Sequence, residues 1–205
     1  MALLDTPLRT LLDAFASSDP TPGGGSASAL ASATGASLLI MVAGLPKTRH
    51  GSDDDKQLLA AAIPPLKDLA RELGDAIDAD AAAYDRVVAA YKLPKATTDE
   101  QAVRKAGIAE ALRAATDVPL KVMKMSADAL ELARTVAGHG YASAASDVGV
   151  AITLLRAGLH GARLNVDVNL RGKDDAYASE VRTEADRHAT RAAEAARSAE
   201  AALRS

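Results

Sequence analysis

Cysteine is absent from the 205-residue chain, which removes disulfides, thiolate nucleophiles and cysteine-ligated metals together and suits a cytoplasmic location. Tryptophan is missing as well, phenylalanine occurs once, and aromatics make up 2% of the residues. Val, Ile and Thr are scattered, without the period-two alternation of half-buried strands. Neither sign of charge prevails: 24 Lys+Arg face 27 Asp+Glu, a formal charge of -3. That balance exerts little long-range pull, so neither nucleic acid nor a membrane is expected as a partner. The opening MALLDTPLRTLLDAF has no basic segment ahead of an apolar one and no small-residue processing site, so it reads as structure and not as a secretory leader.

Uninterrupted long hydrophobic runs are scarce too. Thr21 to Pro46 is uncharged, but Gly, Ser, Thr and Ala fill its first half; Val148 to Val168 is broken by Arg156, His160, Arg163, Asn165 and Asp167. Both read as buried helices of a soluble bundle. What is abundant is alanine, the strongest helix former and the smallest side chain that packs between helices. The expectation is therefore an all-α protein: a compact multi-helix bundle of five to seven helices, some long and proline-bent, in one domain over residues 1–205.

The helices can be placed by period and by caps. Leu8, Leu11, Leu12 and Phe15 share a face of a helix over Pro7 to Ala16, with Thr6 as cap. A second helix starts at Gly25 or Ser26 and ends near Gly44; Leu30, Leu38, Met41 and Val42 make a large face, and Ser28, Ala31, Ser32 and Gly35 a small one that admits a neighbouring backbone. Asp53 to Ala90 reads as one long helical segment with a bend at Pro64 and Pro65, its inner stripe including Leu66, Leu73, Ile77 and Tyr84. Thr97 with Glu100, or Thr98 with Gln101, signals the next helix, which runs to Ala137 around Pro119. Ser146 is the cap candidate of a fifth, reaching toward Asn165, and an Ala-, Glu- and Arg-rich terminal helix begins at Ala176.

Three stretches carry possible chemistry. DPTPGGGSASALAS, from Asp19 to Ser32, opens a helix with three glycines. They either serve a tight turn or present backbone donors to an anionic group. No Lys-Ser or Lys-Thr pair and no preceding strand make it a nucleotide loop. In HGYASAASDVGV, Ser146 and Asp147 can cap a helix or accept a proton, and His139 can exchange one. In LNVDVNLRG, Asn165 and Asn169 lie four residues apart, able to read the donors and acceptors of a heterocycle or to cap locally. His50, His139, His160 and His188 stand isolated in sequence, so no metal is expected.

The ordered segments LLDAFASSDPTPGGGSASALA, GASLLIMVAGL, VPLKVMKMSADALEL and SDVGVAITLLRAGLHGARLNVDVNL together resemble the formiminotetrahydrofolate cyclodeaminase and methenyltetrahydrofolate cyclohydrolase family. The resemblance runs from Leu11 to Asp175. It implies a homodimeric all-helical enzyme that handles the one-carbon unit of a tetrahydrofolate derivative, with that reduced folate as substrate and no tightly bound cofactor. It also implies a folate cleft near Pro22, Gly23, Gly24, Gly25 and Ser26, the pair Ser146 and Asp147, and Asn165 with Asn169. In LPKTRH, Lys47 and Arg49 supply positive charge for the folate carboxylate tail. Asp147 is the leading catalytic carboxylate and His139 the second catalytic candidate. The residues without the resemblance fit a noncatalytic helical homo-oligomeric scaffold or interaction protein almost as well.

Overall fold

The computed structural model describes residues 2–204. Six helices follow one another: α1 (Leu8–Phe15), α2 (Gly24–Ala43), α3 (Asp53–Tyr91), α4 (Thr98–His139), α5 (Ala145–Asn169) and α6 (Ala176–Ala202), with single 3-10 turns at Leu3–Asp5 and Ala142–Ala144. Local chemistry fixes the ends of the two longest. Ser52 accepts from the Asp55 N–H at the start of α3, and Asp53, Asp54 and Asp55 place three carboxylates on its positive end. Thr97 and Glu100 close a reciprocal capping box at the start of α4. Helix α3 continues through Pro64 and Pro65, and α4 through Pro119.

Three boundaries depart from the sequence reading. The Thr6 hydroxyl donates to the Leu3 carbonyl at 2.6 Å instead of capping α1, whose N-cap is Pro7. Ser146 lies inside α5, because the 3-10 turn at Ala142–Ala144 moves the N-cap to Ala144. His139 is the last residue of α4 and not part of a loop. At the starts of α1 and α5 no side-chain cap bond forms.

Helix α2 lies centrally, packed on α5 and α3, while α4 closes the bundle against α3, α5 and α6. Leu39, Leu66, Leu73, Ile77, Met123, Leu130, Ile152 and Leu155 are fully buried between them, each large apolar side chain contributing about 1.5–3 kcal/mol. The α2–α5 contact is made of small residues. A Cβ on Gly35 would stand 2.8 Å from the Ala151 carbonyl, and one on Gly158 would meet the Ser32 side chain and the Ser28 carbonyl. Both helices are long and apolar enough to cross a membrane by length and composition, yet here they pack on each other. Ser32 and Ser126, both fully buried, share a hydrogen bond of 2.7 Å across to α4. Since Gly24 faces Asn165 and Gly35 faces Ala151, α2 and α5 are antiparallel. The bundle thus has a glycine end and, at the far ends of both helices, a histidine end.

Candidate active site

At the glycine end, a cleft of about 240 Å³ opens between the 20–25 turn, α3, α4 and α5. Its polar groups are the α2 N-terminus, Asp80, Tyr84, Asn165 and Asn169, with Val87, Leu112 and Ala115 as apolar wall. Asp80 is the focus. The fully buried Ser26 donates its hydroxyl to the Ile77 carbonyl at 2.9 Å and to Asp80 Oδ2 at 3.0 Å, and the Ser26 backbone also bonds the carboxylate. Burial pushes the Asp80 carboxyl above the usual carboxylate range, a shift the two Ser26 bonds only partly offset.

The three glycines have different duties. A Cβ on Gly25 would run into the Asp80 carboxylate, whereas one on Gly24 would meet Asn165 Nδ2 at an ordinary 3.7 Å and one on Gly23 would meet the Pro20 carbonyl at 3.5 Å. Gly25 is thus the residue that lets a carboxylate from α3 come up against the start of α2, where free N–H groups and the helix dipole favour negative charge. The Thr21–Pro22 peptide is cis, and Pro22 is buried behind the turn while Thr21 and Pro20 face the cleft.

The two asparagines each spend an amide N–H on a helix carbonyl. Asn165 Nδ2 donates to the Gly161 carbonyl at 2.9 Å and Asn169 Nδ2 to the Ala115 carbonyl at 3.0 Å, the latter tying α5 to α4. Their carboxamide oxygens have no protein donor among the described residues, so the pair offers acceptors to the cleft.

The remaining sequence candidates gather at the histidine end. Lys47 Nζ lies over the Tyr141 ring, 5.5 Å from its centroid. Arg49 donates its backbone N–H to the His139 carbonyl at 2.9 Å and its guanidinium to the Ala137 carbonyl at 3.0 Å. His139 Nδ1 is 2.7 Å from Asp55 Oδ1. Bonds from His139 and from the His50 backbone hold the Asp55 carboxyl well below the usual range. Ser146 is exposed and Asp147 half-buried in the first turn of α5. Asp147 and Asn165 are eighteen residues apart on one helix, about 27 Å along its axis at 1.5 Å per residue. Within one chain the structure therefore joins Gly23, Gly24, Gly25, Ser26, Asn165 and Asn169, and separately joins Lys47, Arg49, His139, Ser146 and Asp147.

Asp80 and Tyr84 were not among the sequence candidates. A signal existed: Asp80 falls three residues after Ile77 and four before Tyr84, a carboxylate on the inner stripe of an apolar helix face.

A preorganised polar cleft at a helix N-terminus, holding a half-buried carboxylate whose pKa is raised inside an all-α bundle, defines an enzyme-type small-molecule site. Residues 7–187 match the formiminotransferase-cyclodeaminase family, and the chain belongs to it. It is 43% identical over 174 residues to a methenyltetrahydrofolate cyclohydrolase of Methylorubrum extorquens, covering 84% of each chain. It is 35% identical over 174 residues to the formimidoyltransferase-cyclodeaminase of Mus musculus, where it covers 85% of its own length but 32% of the longer relative. The crystal structure of formiminotetrahydrofolate cyclodeaminase from Thermotoga maritima shares the fold with a TM-score of 0.86, covering 98% of this chain and 96% of that one at 23% identity.

Proposed function

We propose that this protein is a folate one-carbon enzyme that hydrolyses 5,10-methenyltetrahydrofolate to 10-formyltetrahydrofolate in the cleft at the glycine end. One observation carries the choice of site: the carboxylate of Asp80 is held at the α2 N-terminus by Ser26, in a gap that exists because Gly25 has no side chain. The likeness to the cyclohydrolase, which covers 84% of each chain, supports the choice of reaction.

The substrate is a cation whose charge is shared between N5, N10 and the bridging carbon. The half-buried Asp80 carboxylate stabilises that charge and also accepts a proton. Water adds to the bridging carbon while Asp80 takes one of its protons, giving a neutral carbinolamine. The C–N5 bond then breaks, Asp80 returns its proton to N5, and the hydroxyl proton leaves to solvent as the formyl C=O forms on N10. Atoms balance with water as the sole co-reactant and one proton released. A carboxyl shifted upward by burial suits both halves of this shuttle, because it is a stronger base first and still a competent acid afterwards. The free carboxamide oxygens of Asn165 and Asn169 accept from N–H groups on the pterin edge. The cleft is at the small end for ligand pockets, so it holds the reacting head and leaves the tail outside.

A homodimer belongs to this reading. Asp147, Lys47, Arg49 and Ser146 act on the same substrate where a second copy brings its histidine end to the cleft. Mixing Asp80→Asn chains with Asp147→Asn chains tests this, since shared sites regain activity in mixed dimers and unshared sites do not.

The likeness to the bifunctional cyclodeaminases over 85% of this chain supports cyclodeamination as the second reading, in which N10 attacks a formimino carbon and ammonia leaves. The deciding assay follows methenyl absorbance and ammonia together. Loss of the methenyl band without ammonia establishes hydrolysis; ammonia from 5-formiminotetrahydrofolate establishes the second; neither product sinks both.

A further inference from the structure

The histidine end contains a cluster that the proposed reaction does not use. His50 from the α2–α3 loop, Asp55 from the first turn of α3 and His139 from the last turn of α4 offer ligand atoms that all lie within 4.8 Å of one another. His50 and Asp55 are five residues apart, and backbone brings His139 to them: Thr48 pairs with Gly140 in an antiparallel bridge, and the Arg49 N–H donates to the His139 carbonyl at 2.9 Å. The loop and the helix end are therefore fixed relative to each other independently of the imidazoles.

From this geometry we infer that His50, Asp55 and His139 form a binding site for one divalent transition-metal ion of the Zn²⁺ class. Asp55 divides its duties in the way a ligand requires. Its Oδ2 accepts the His50 backbone N–H at 2.8 Å, which anchors the carboxylate. Its Oδ1 faces both imidazoles, 2.7 Å from His139 Nδ1 and 3.3 Å from His50 Nδ1. A metal ion replaces the protons between these atoms, drawing the two nitrogens and one oxygen onto a common centre with a fourth, open position for water.

Burial supports a site with an entrance. The Asp55 side chain is 3% exposed, His139 34% and His50 65%, so the anchored ligand lies deep and the exposed one lies at the mouth. Two nitrogens and one oxygen select Zn²⁺, Co²⁺ or Ni²⁺ over Mg²⁺ and Ca²⁺, which require all-oxygen shells. The neighbouring cations are engaged elsewhere, Lys47 over the Tyr141 ring and Arg49 at the Ala137 carbonyl. Helix α2 separates this cluster from the glycine-end cleft by about 30 Å, its twenty residues rising 1.5 Å each. The ion thus locks the α2–α3 loop to the end of α4, far from the cleft of its own chain.

The test is a titration of untagged, chelator-treated protein with Co²⁺, without folate, so its result does not depend on the reaction proposed above. The expected result is one equivalent bound with the intense visible absorption of tetrahedral Co²⁺, displaced by Zn²⁺, and a rise in melting temperature with metal. His50→Ala, at a largely exposed position, and Asp55→Asn, which keeps an acceptor for the His50 N–H, each weaken binding at least about tenfold, the loss that accompanies removal of even an outer partner. Absence of the tetrahedral band, or unchanged affinity in both folded variants, overturns the assignment.

Discussion

Asp80→Asn separates the role of this carboxylate in the reaction from its role in the fold. The amide oxygen of Asn keeps an acceptor for the Ser26 hydroxyl that now reaches Asp80 Oδ2 at 3.0 Å, and the side chain has nearly the same volume, so the Gly25 gap stays filled. What disappears is the proton acceptor and the half-buried charge. Positioned general base catalysis is worth about 10²–10⁴-fold, which at about 1.4 kcal/mol per factor of ten corresponds to about 3–5.5 kcal/mol of barrier. Stability moves the other way. Because burial raises the folded-state pKa of Asp80, the ionised carboxylate weakens the fold at neutral pH, so the variant melts at the same or a higher temperature than the parent. The assay is single-turnover loss of methenyl absorbance beside thermal denaturation of the same samples. An unchanged rate, or a slower rate accompanied by a lower melting temperature, refutes the assignment.

Three further tests follow from the same structure. Gly25→Ala forces the Asp80 carboxylate from its place and lowers the rate by about a hundredfold, the effect of misplacing a positioned group by about 1 Å; Gly24→Ala, whose Cβ meets only Asn165 at 3.7 Å, costs less than about tenfold in the same turnover assay. His188, 1% exposed, has its pKa lowered by burial and by Arg187 and Arg191, so the unfolded chain binds its proton first. Unfolding free energy therefore falls as pH drops through about 6.5 and below, and His188→Gln flattens the difference between urea melts at about pH 7.5 and about pH 5.5. Thr97→Ala opens the capping box at the start of α4, lowering stability by about 1 kcal/mol and the melting temperature by about 2–4 °C with turnover unchanged.

Helix periods and ends were largely legible because they are local. The Thr97–Glu100 box, the start of α3 near Asp53 and the terminal helix from Ala176 rest on residues within a few positions of one another. The site was legible only where one helix carries it, as with Asn165 and Asn169. The partner of the glycine turn is Asp80, more than fifty residues away on α3, and a neighbouring carboxylate leaves no trace in the turn itself. The resemblance pairs the turn with Asp147, and the length of α5 keeps the two apart within one chain, so their meeting depends on a second copy that no single-chain pattern shows. His50 and His139 looked isolated for a similar reason: the bridge between Thr48 and Gly140 that unites them is a tertiary contact.

The seam between α2 and α5 also sets the aperture of the cleft. Gly35, Gly158 and Gly161 let the two axes approach until Ser28 and Ser32 touch the opposite backbone, and the same approach fixes how far Gly24 stands from Asn165. Adding a methyl group at Gly158 would wedge the helices apart like a shim in a hinge, widening the gap at the ligand end from a position that never meets the ligand. Discrimination between folates of different bulk can accordingly drift through substitutions deep in the core while every residue lining the cleft stays the same.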